Sequence, residues 1–380
     1  MTAITNVTLY TMTGGTEKGT LLIDNDGTIK AVGRVEIPQE AKVIDGAEGI
    51  LMPGIIDAHG HAGVAEEGLG WEGSDVNEMV DPITSNLRAL DGINPAEEGI
   101  REALEGGVTT MCVVPGSANV IGGEGVIVHM HGRTVDEMII RESGGLKIAF
   151  GENPKRVYSG QKKSPSTRMA IAALLREQLA KAKSYQKKMA NAEPGKEPDQ
   201  DPKMDVLVRV LNKEIPLRAH AHRADDIMTA VRIAEEFDVD IVVEHCTEGH
   251  LIADILAAKE IPVVIGPTMT TRSKVELKNR TFKTLLALHE AGVKFALTMD
   301  HPVLHVQYLP LAAAFAVKEG LPREEALKAI TIYPAEILGI DDRYGSLAEG
   351  KMADLVLWDG DPLDIQSRVK GVFVHGQQVV

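Results

Sequence analysis

Met52-Pro53-Gly54-Ile55-Ile56-Asp57-Ala58-His59-Gly60-His61 constrains this chain more than any other stretch. A Pro-Gly turn leads into Ile55 and Ile56, an apolar run too brief for a helix and suited to a buried strand. The run ends in two histidines separated by one residue. In extended backbone, residues i and i+2 point the same way, so both imidazoles can face one metal ion. Isolated His-x-His pairs are common on solvated loops. A pair that closes a buried strand points instead to ligands.

At 380 residues the chain can bury a large core, and a barrel of about 250 residues leaves room for a second small domain. The net charge of −15, with no Lys/Arg-rich block, argues against nucleic acid as a partner. Met1 to Gly15 has neither a basic n-region nor a long apolar run, so the reading is no signal peptide, no membrane span and a cytoplasmic location. Cys112 and Cys246 are too few for a disulfide framework, which also suits a reducing compartment. Homo-oligomerisation stays open.

Both ends read as β structure. Ile4 to Tyr10, Thr20 to Ile23, Ile29 to Val32 and Ala41 to Ile44 open the chain, with Asp26-Gly27 as a hairpin turn. Tyr344 to Trp358 reads turn then strand, and Val369 to Val374 and Gln377 to Val380 flank a His375-Gly376 turn. The opening piece cannot close a core alone, and the end of the chain reads as its complement. Between them, strands and helices alternate as in a parallel sheet. Asn94-Pro95 caps a helix that Gly106-Gly107 stops. Val108 to Val114, Val126 to Met130 and Leu146 to Phe150 read as strands, Ser166 to Ala192 as a long helix, and Glu193 to Lys203 as a surface loop or flap hinge. The alternation then becomes regular. Leu217 to Ala219 leads to His220, Ile241 to Glu244 to His245, Val263 to Ile265 to Gly266-Pro267, and Val293 to Thr298 to Asp300. Helices over Ala224 to Phe237, Leu251 to Lys259 and Phe282 to Ala291 separate them.

His220, His245 and Asp300 thus each follow a strand, where a (β/α)8 barrel builds its site. With His59 and His61 they offer four nitrogens and a carboxylate, a set that suits Zn²⁺ and tolerates Fe²⁺ or Mn²⁺. Any one of them could be a core histidine or a helix cap; all together they point to a metal site. His222 shares the face of His220 and reads as a substrate-polarising group. Arg223, Arg272, Lys155 and Arg156 lie in loops near strand ends and could pair with a substrate carboxylate, or simply face water. Glu248 and His250 could aim inward or to water. Cys246 reads as core, and His129, His131, His289 and His375 as structural. Ser117 to Gly123 lacks the Lys-Ser/Thr of a phosphate-binding loop and reads as a Gly-rich substrate loop.

Pro-Gly-Ile-Ile-Asp-Ala-His-Gly-His resembles the first-strand signature of the amidohydrolase superfamily. Gly345-Ser346-Leu347 through Gly350-Lys351, with Ala353-Asp354-Leu355, is similar to its C-terminal signature. The resemblance implies an α/β fold: a (β/α)8 TIM-like barrel over 53–340, and a small β-sandwich domain built from 1–52 plus 341–380. It implies that His59, His61, His220, His245 and Asp300 hold one or two divalent ions, foremost Zn²⁺. In the superfamily a second ion is bridged by a carboxylated lysine or a glutamate from strand four; Lys147 and Glu152 both remain open for that place. The implied reaction is hydrolysis of a C–N bond, other than a peptide bond, in a small amide or cyclic amide by metal-bound hydroxide, with dipeptidase activity also open. Asp300 would serve as base and then acid, and His245 and His222 would stabilise the oxyanion. Arg-Ala-His-Ala-His and Ile-Val-Val-Glu-His most resemble the branch of imidazolonepropionases and metal-dependent Xaa-Pro and Xaa-Arg dipeptidases. Arg223 stands where imidazolonepropionases carry a glutamate. Deamination of a nitrogen heterocycle or other amidine is the rival reaction, and a non-catalytic structural homologue the rival class.

Overall fold

The computed structural model describes residues 1–193 and 198–380. Residues 194–197, inside the stretch read as a surface loop, lie outside the described residues. The N-terminal strands are β1 (Thr2–Tyr10), β2 (Thr16–Ile23), β3 (Ile29–Gly33), β4 (Lys42–Asp45) and β5 (Ile50–Pro53). The barrel strands follow: β6 (Ile55–Gly60), β7 (Val108–Val113), β8 (Ile121–His129), β9 (Ile139–Ala149), β10 (Leu217–Ala221), β11 (Ile241–His245), β12 (Val263–Ile265) and β13 (Phe295–Leu297). The C-terminal strands are β14 (Leu355–Trp358), β15 (Val369–Val374) and β16 (Gln377–Gln378).

The two termini form one hydrogen-bonded sheet in the order β16-β15-β14-β5-β1-β2-β3, with β4 also on β1. A bulge in β1, where Asn6 adopts φ 53°, shifts side-chain parity. Ile4, Val7 and Leu9 therefore share one apolar core with Leu21, Ile23, Leu355 and Phe373.

Strands β6 to β13 make the second eight-stranded sheet, in sequence order. It closes on itself through the 329–330 segment: Leu297 donates to the Ala329 carbonyl and Ile56 to the Ile330 carbonyl, both at 2.9 Å. The Thr298 hydroxyl adds a 2.6 Å bond to the His59 carbonyl. One departure from an all-parallel barrel is clear. β8 runs antiparallel to both β7 and β9. The connections over 114–120 and 130–138 explain it, because a parallel crossover needs a dozen or more residues. Strand β8 is also longer than the sequence reading, so Ile121 to Gly123 belong to a strand and not to a loop.

The helices read from sequence lie close to their expected bounds; Glu152–Gly160, Leu309–Lys318, Arg323–Lys328 and Ile332–Leu338 are not among them, and Pro202–Leu211 begins inside the stretch read as a loop. Thr167 caps the helix Arg168–Ala190 by accepting from the Ala170 amide at 3.1 Å. The helix after Asn94-Pro95 starts later than its cap signal, at Glu98, because Glu97 turns its carboxylate back to the Gly63 amide at 3.1 Å.

Candidate metal centre

Period-2 geometry sets the interior of the barrel. Arg218 and His220 lie two apart on β10 and are both buried. His220 sits level with Glu244 on β11, and Arg218 with Lys147 on β9. Successive residues Glu244 and His245 ought to face opposite sides. His245 and Cys246 instead adopt left-handed backbone, φ 69° and 44°, which breaks the alternation and lets both Glu244 and His245 serve the interior. Asp300 is held the same way, at φ 54°.

Five imidazoles meet at the C-terminal end of the strands. His59 lies 4.9 Å from His245 between ring centroids, His245 lies 4.4 Å from His220, and His222 stacks on His245 at 4.8 Å. His61 is 5.2 Å from His59. Asp300 Oδ1 lies 3.2 Å from both His59 Nε2 and His61 Nε2. A cleft of about 390 Å³ opens over this group, walled by Asn77, Ser117, Asn153, Thr270, Ser273 and Lys274. A larger hollow of about 670 Å³ lies against the terminal sheet, but no histidine lines it.

The outer nitrogens are tied down. His61 Nδ1 donates to the Val114 carbonyl and His245 Nδ1 to the Gly266 carbonyl, each at 2.7 Å. A carbonyl can only accept, so both rings present a bare Nε2 to the cleft. His222 Nδ1 meets the Thr247 hydroxyl at 2.8 Å. Burial pushes His61, His220, His222 and His245 below the usual histidine value, His245 to about 3, and so keeps them neutral. Burial alone would raise Asp300, but the His59 and His61 rings beside its carboxylate hold it well below the usual carboxylate range.

Does this set fit a metal? His59 Nε2 and both nitrogens of His220 are buried without a hydrogen-bond partner among the described residues. Aimed, unpartnered imidazole nitrogens beside an ionised carboxylate are the donor set of a divalent ion. His220, His222 and His245 form one such group, and His59, His245 and Asp300 another.

The remaining sequence candidates divide. Lys147 is buried beneath the histidines, its Nζ 3.5 Å from His59 Nδ1 and paired to Glu244. Glu152 heads the helix Glu152–Gly160 outside the cleft lining, and its amide binds Glu276 at 2.9 Å. Arg223 is clamped by Asp225 through two 2.8 Å bonds, and Arg272 donates to the Lys278 and Arg280 carbonyls. Neither arginine lines the cleft, nor do Lys155 and Arg156. Glu248 caps the helix Ala224–Phe237 by accepting from the Ala224 amide, and His250 pairs with Thr284. Cys246 is core, its thiol pushed up to about 12 by burial.

Sequence reasoning missed four residues. Glu244 anchors the interior, 3.0 Å from His59 Nδ1 and 2.7 Å from Arg218 Nε, besides its pair with Lys147. Period 2 from His220 would have found Arg218. Glu276 turns Oε1 to within 3.7 Å of His222 Nε2 and 4.0 Å of His220 Nε2, with Lys274 3.6 Å away. Lys274 precedes and Glu276 sits within a single 3-10 turn, Val275–Leu277, too short to carry a periodic signal.

The sequence profile described as the amidohydrolase family matches residues 50–379. The chain belongs to the amidohydrolase family. A crystal structure of an amidohydrolase from Thermotoga maritima MSB8 superposes with a TM-score of 0.97 at 45% identity, covering 100% of both chains. The amidohydrolase tasK of Hapsidospora irregularis is 30% identical over 90% of this chain, which spans only 37% of that protein's length. An imidazolonepropionase of Pseudomonas putida is 24% identical, over 89% of this chain and 86% of its own. Among the described residues, no helix is long and apolar enough to cross a membrane.

Proposed function

We propose that this amidohydrolase hydrolyses a C–N bond in a small amide or cyclic amide, using His59, His61, His220, His245 and Asp300 to hold one or two divalent ions, Zn²⁺ foremost. The observation that carries this is the convergence of these side chains, with Asp300 Oδ1 3.2 Å from two imidazole nitrogens, at the floor of a cleft of about 390 Å³. That volume suits a small molecule. An ion bound there would supply Lewis acidity and bring the pKa of a water to about 7.

The chain's own groups do the rest. Asp300, kept ionised by its histidine neighbours, takes a proton from the attacking water and delivers it to the leaving nitrogen. With the Thr247 hydroxyl as donor to His222 Nδ1, 2.8 Å away, Nε2 would carry the proton that meets the developing oxyanion. His245, with its Nδ1 proton committed to Gly266, presents a lone pair and acts as ligand alone. Of the two candidate bridges, the position of Lys147 beside His59 favours the lysine, since Glu152 stands outside the cleft. The free, buried Cys112 and Cys246 support a reducing, cytoplasmic setting. The break between β5 and β6 at Gly54 supports a catalytic unit over 53–340 and a companion of 1–52 plus 341–380.

A panel of N-acyl amino acids, lactams, imidazolones and amidine heterocycles tests the reading. Release of a carboxylate with its amine, or opening of a lactam, supports it. Ammonia released from amidines alone would replace it with deamination.

A further inference from the structure

His129, Asp354 and His375 meet at the opposite end of the barrel from the catalytic histidines. Strand β8 is antiparallel, so His129 at its end lies level with Thr110, near the start of β7. Asp354 just precedes β14, and its carbonyl accepts from the Gly54 amide at the entrance to β6. His375 sits in the tight turn between β15 and β16. His129 and Asp354 are buried, 2% and 5% exposed, while His375 reaches solvent.

One donor atom from each residue lies within 4.8 Å of the others. His129 Nδ1 faces Asp354 Oδ2 at 3.1 Å, and His129 Nε2 faces His375 Nε2 at 2.7 Å. Neither His129 Nδ1 nor Asp354 Oδ2 makes a hydrogen bond among the described residues. A buried carboxylate oxygen left this way is costly, and two imidazole nitrogens in contact can share only one proton. A cation beside the carboxylate removes that cost, taking one nitrogen from His129 and one from His375.

The surroundings are built to hold these groups. Asp354 Oδ1 accepts the His375 amide at 2.9 Å, so the turn that brings the second histidine also orients the carboxylate. The Gly376 amide binds the Ala353 carbonyl at 3.0 Å, and the Tyr344 ring packs edge-on to His129 at 5.7 Å. His375 itself adopts φ 49°, a conformation that glycine or asparagine would take more readily.

We propose that His129, Asp354 and His375 form a second, non-catalytic divalent-metal site that clamps the terminal sheet to the floor of the barrel. Two imidazoles and one carboxylate suit Zn²⁺ and its borderline neighbours, with water from the exposed His375 side completing four-coordination. The three ligands come from a barrel strand, the entry to β14 and the last hairpin. The ion would therefore cross-link elements far apart in sequence.

The test compares metal content of wild type, His375→Ala and Asp354→Asn after dialysis against metal-free buffer. His375 is at the surface, so its alanine variant should fold even if Asp354→Asn does not. The expected result is a loss of about one ion per chain in His375→Ala with turnover unchanged. Added Zn²⁺ should raise the melting temperature of chelator-stripped wild type further than that of the variant. Equal ion counts in wild type and His375→Ala, or an equal response of both to Zn²⁺, would overturn the site and leave an Asp–His–His hydrogen-bonded chain.

Discussion

Glu244→Gln removes the carboxylate at the centre of the buried charge cluster beneath the metal ligands. Glu244 is fully buried and is the carboxylate that faces Lys147, Arg218 and His59 Nδ1 together. Its partners hold it well below the usual carboxylate range against the upward push of burial. Arg218's other hydrogen bonds go to neutral carbonyls, of Ala58 and Gly144, so glutamine leaves its charge uncompensated. A unit charge pair near 4 Å is worth about 4 kcal/mol at an effective dielectric of about 20, and breaking one side of a buried pair costs about 3–5 kcal/mol. At roughly 2.1 cal/mol/K per residue, a 380-residue chain unfolds with an entropy of about 0.8 kcal/mol/K. The melting temperature should fall by about 4–6 °C, read by calorimetry at matched metal content. A depressed carboxylate stabilises above its unfolded pKa and loses that contribution as pH falls through its folded value. The gap between wild type and variant should therefore persist from neutral pH down to about 4.5 and close only below it. A variant melting within 1 °C of wild type at pH 7 would refute the charge-cluster argument.

Asp300→Asn keeps size and one oxygen donor but cannot take the water's proton; turnover should fall by about 10² to 10⁴ while most metal stays, as elemental analysis and initial rates will read. Lys147→Ala should remove metal and be partly rescued by small carboxylic acids, whereas Glu152→Gln should leave metal stoichiometry unchanged; the reverse pattern would make Glu152 the bridge. Arg223→Ala and Arg272→Ala should each leave KM within about twofold, because their guanidinium groups are spent on Asp225 and on loop carbonyls.

Much of this architecture was legible because its signals are local. A strand that ends in His59-x-His61, and strands that run into His220, His245 and Asp300, announce a barrel rim at the spacing the structure keeps. The antiparallel β8 was legible only in the brevity of its two connections, and a βα rhythm read along the chain passes over that. Glu244 was hidden by simple alternation, which sends it away from His245 unless the backbone turns left-handed. Glu276 and Lys274 approach the histidines from a three-residue 3-10 turn, where position depends on tertiary packing and the turn is too short for a periodic signal. Arg223 and Arg272, read as substrate contacts, lie outside the cleft lining for a related reason. Strand-end proximity in sequence does not set side-chain direction, and Asp225 and two carbonyls captured the arginines first.

His59, His61, His220, His245 and Asp300 are proposed to form a hydrolytic metal centre. The direct measurement titrates bound metal and amide-hydrolase turnover together, through chelation and reloading with Zn²⁺, in wild type and in His220→Ala. Turnover should fall in proportion to the ion removed and return on reloading in wild type, while His220→Ala recovers neither. Full turnover in chelated protein carrying less than about a tenth of an ion per chain would contradict the account.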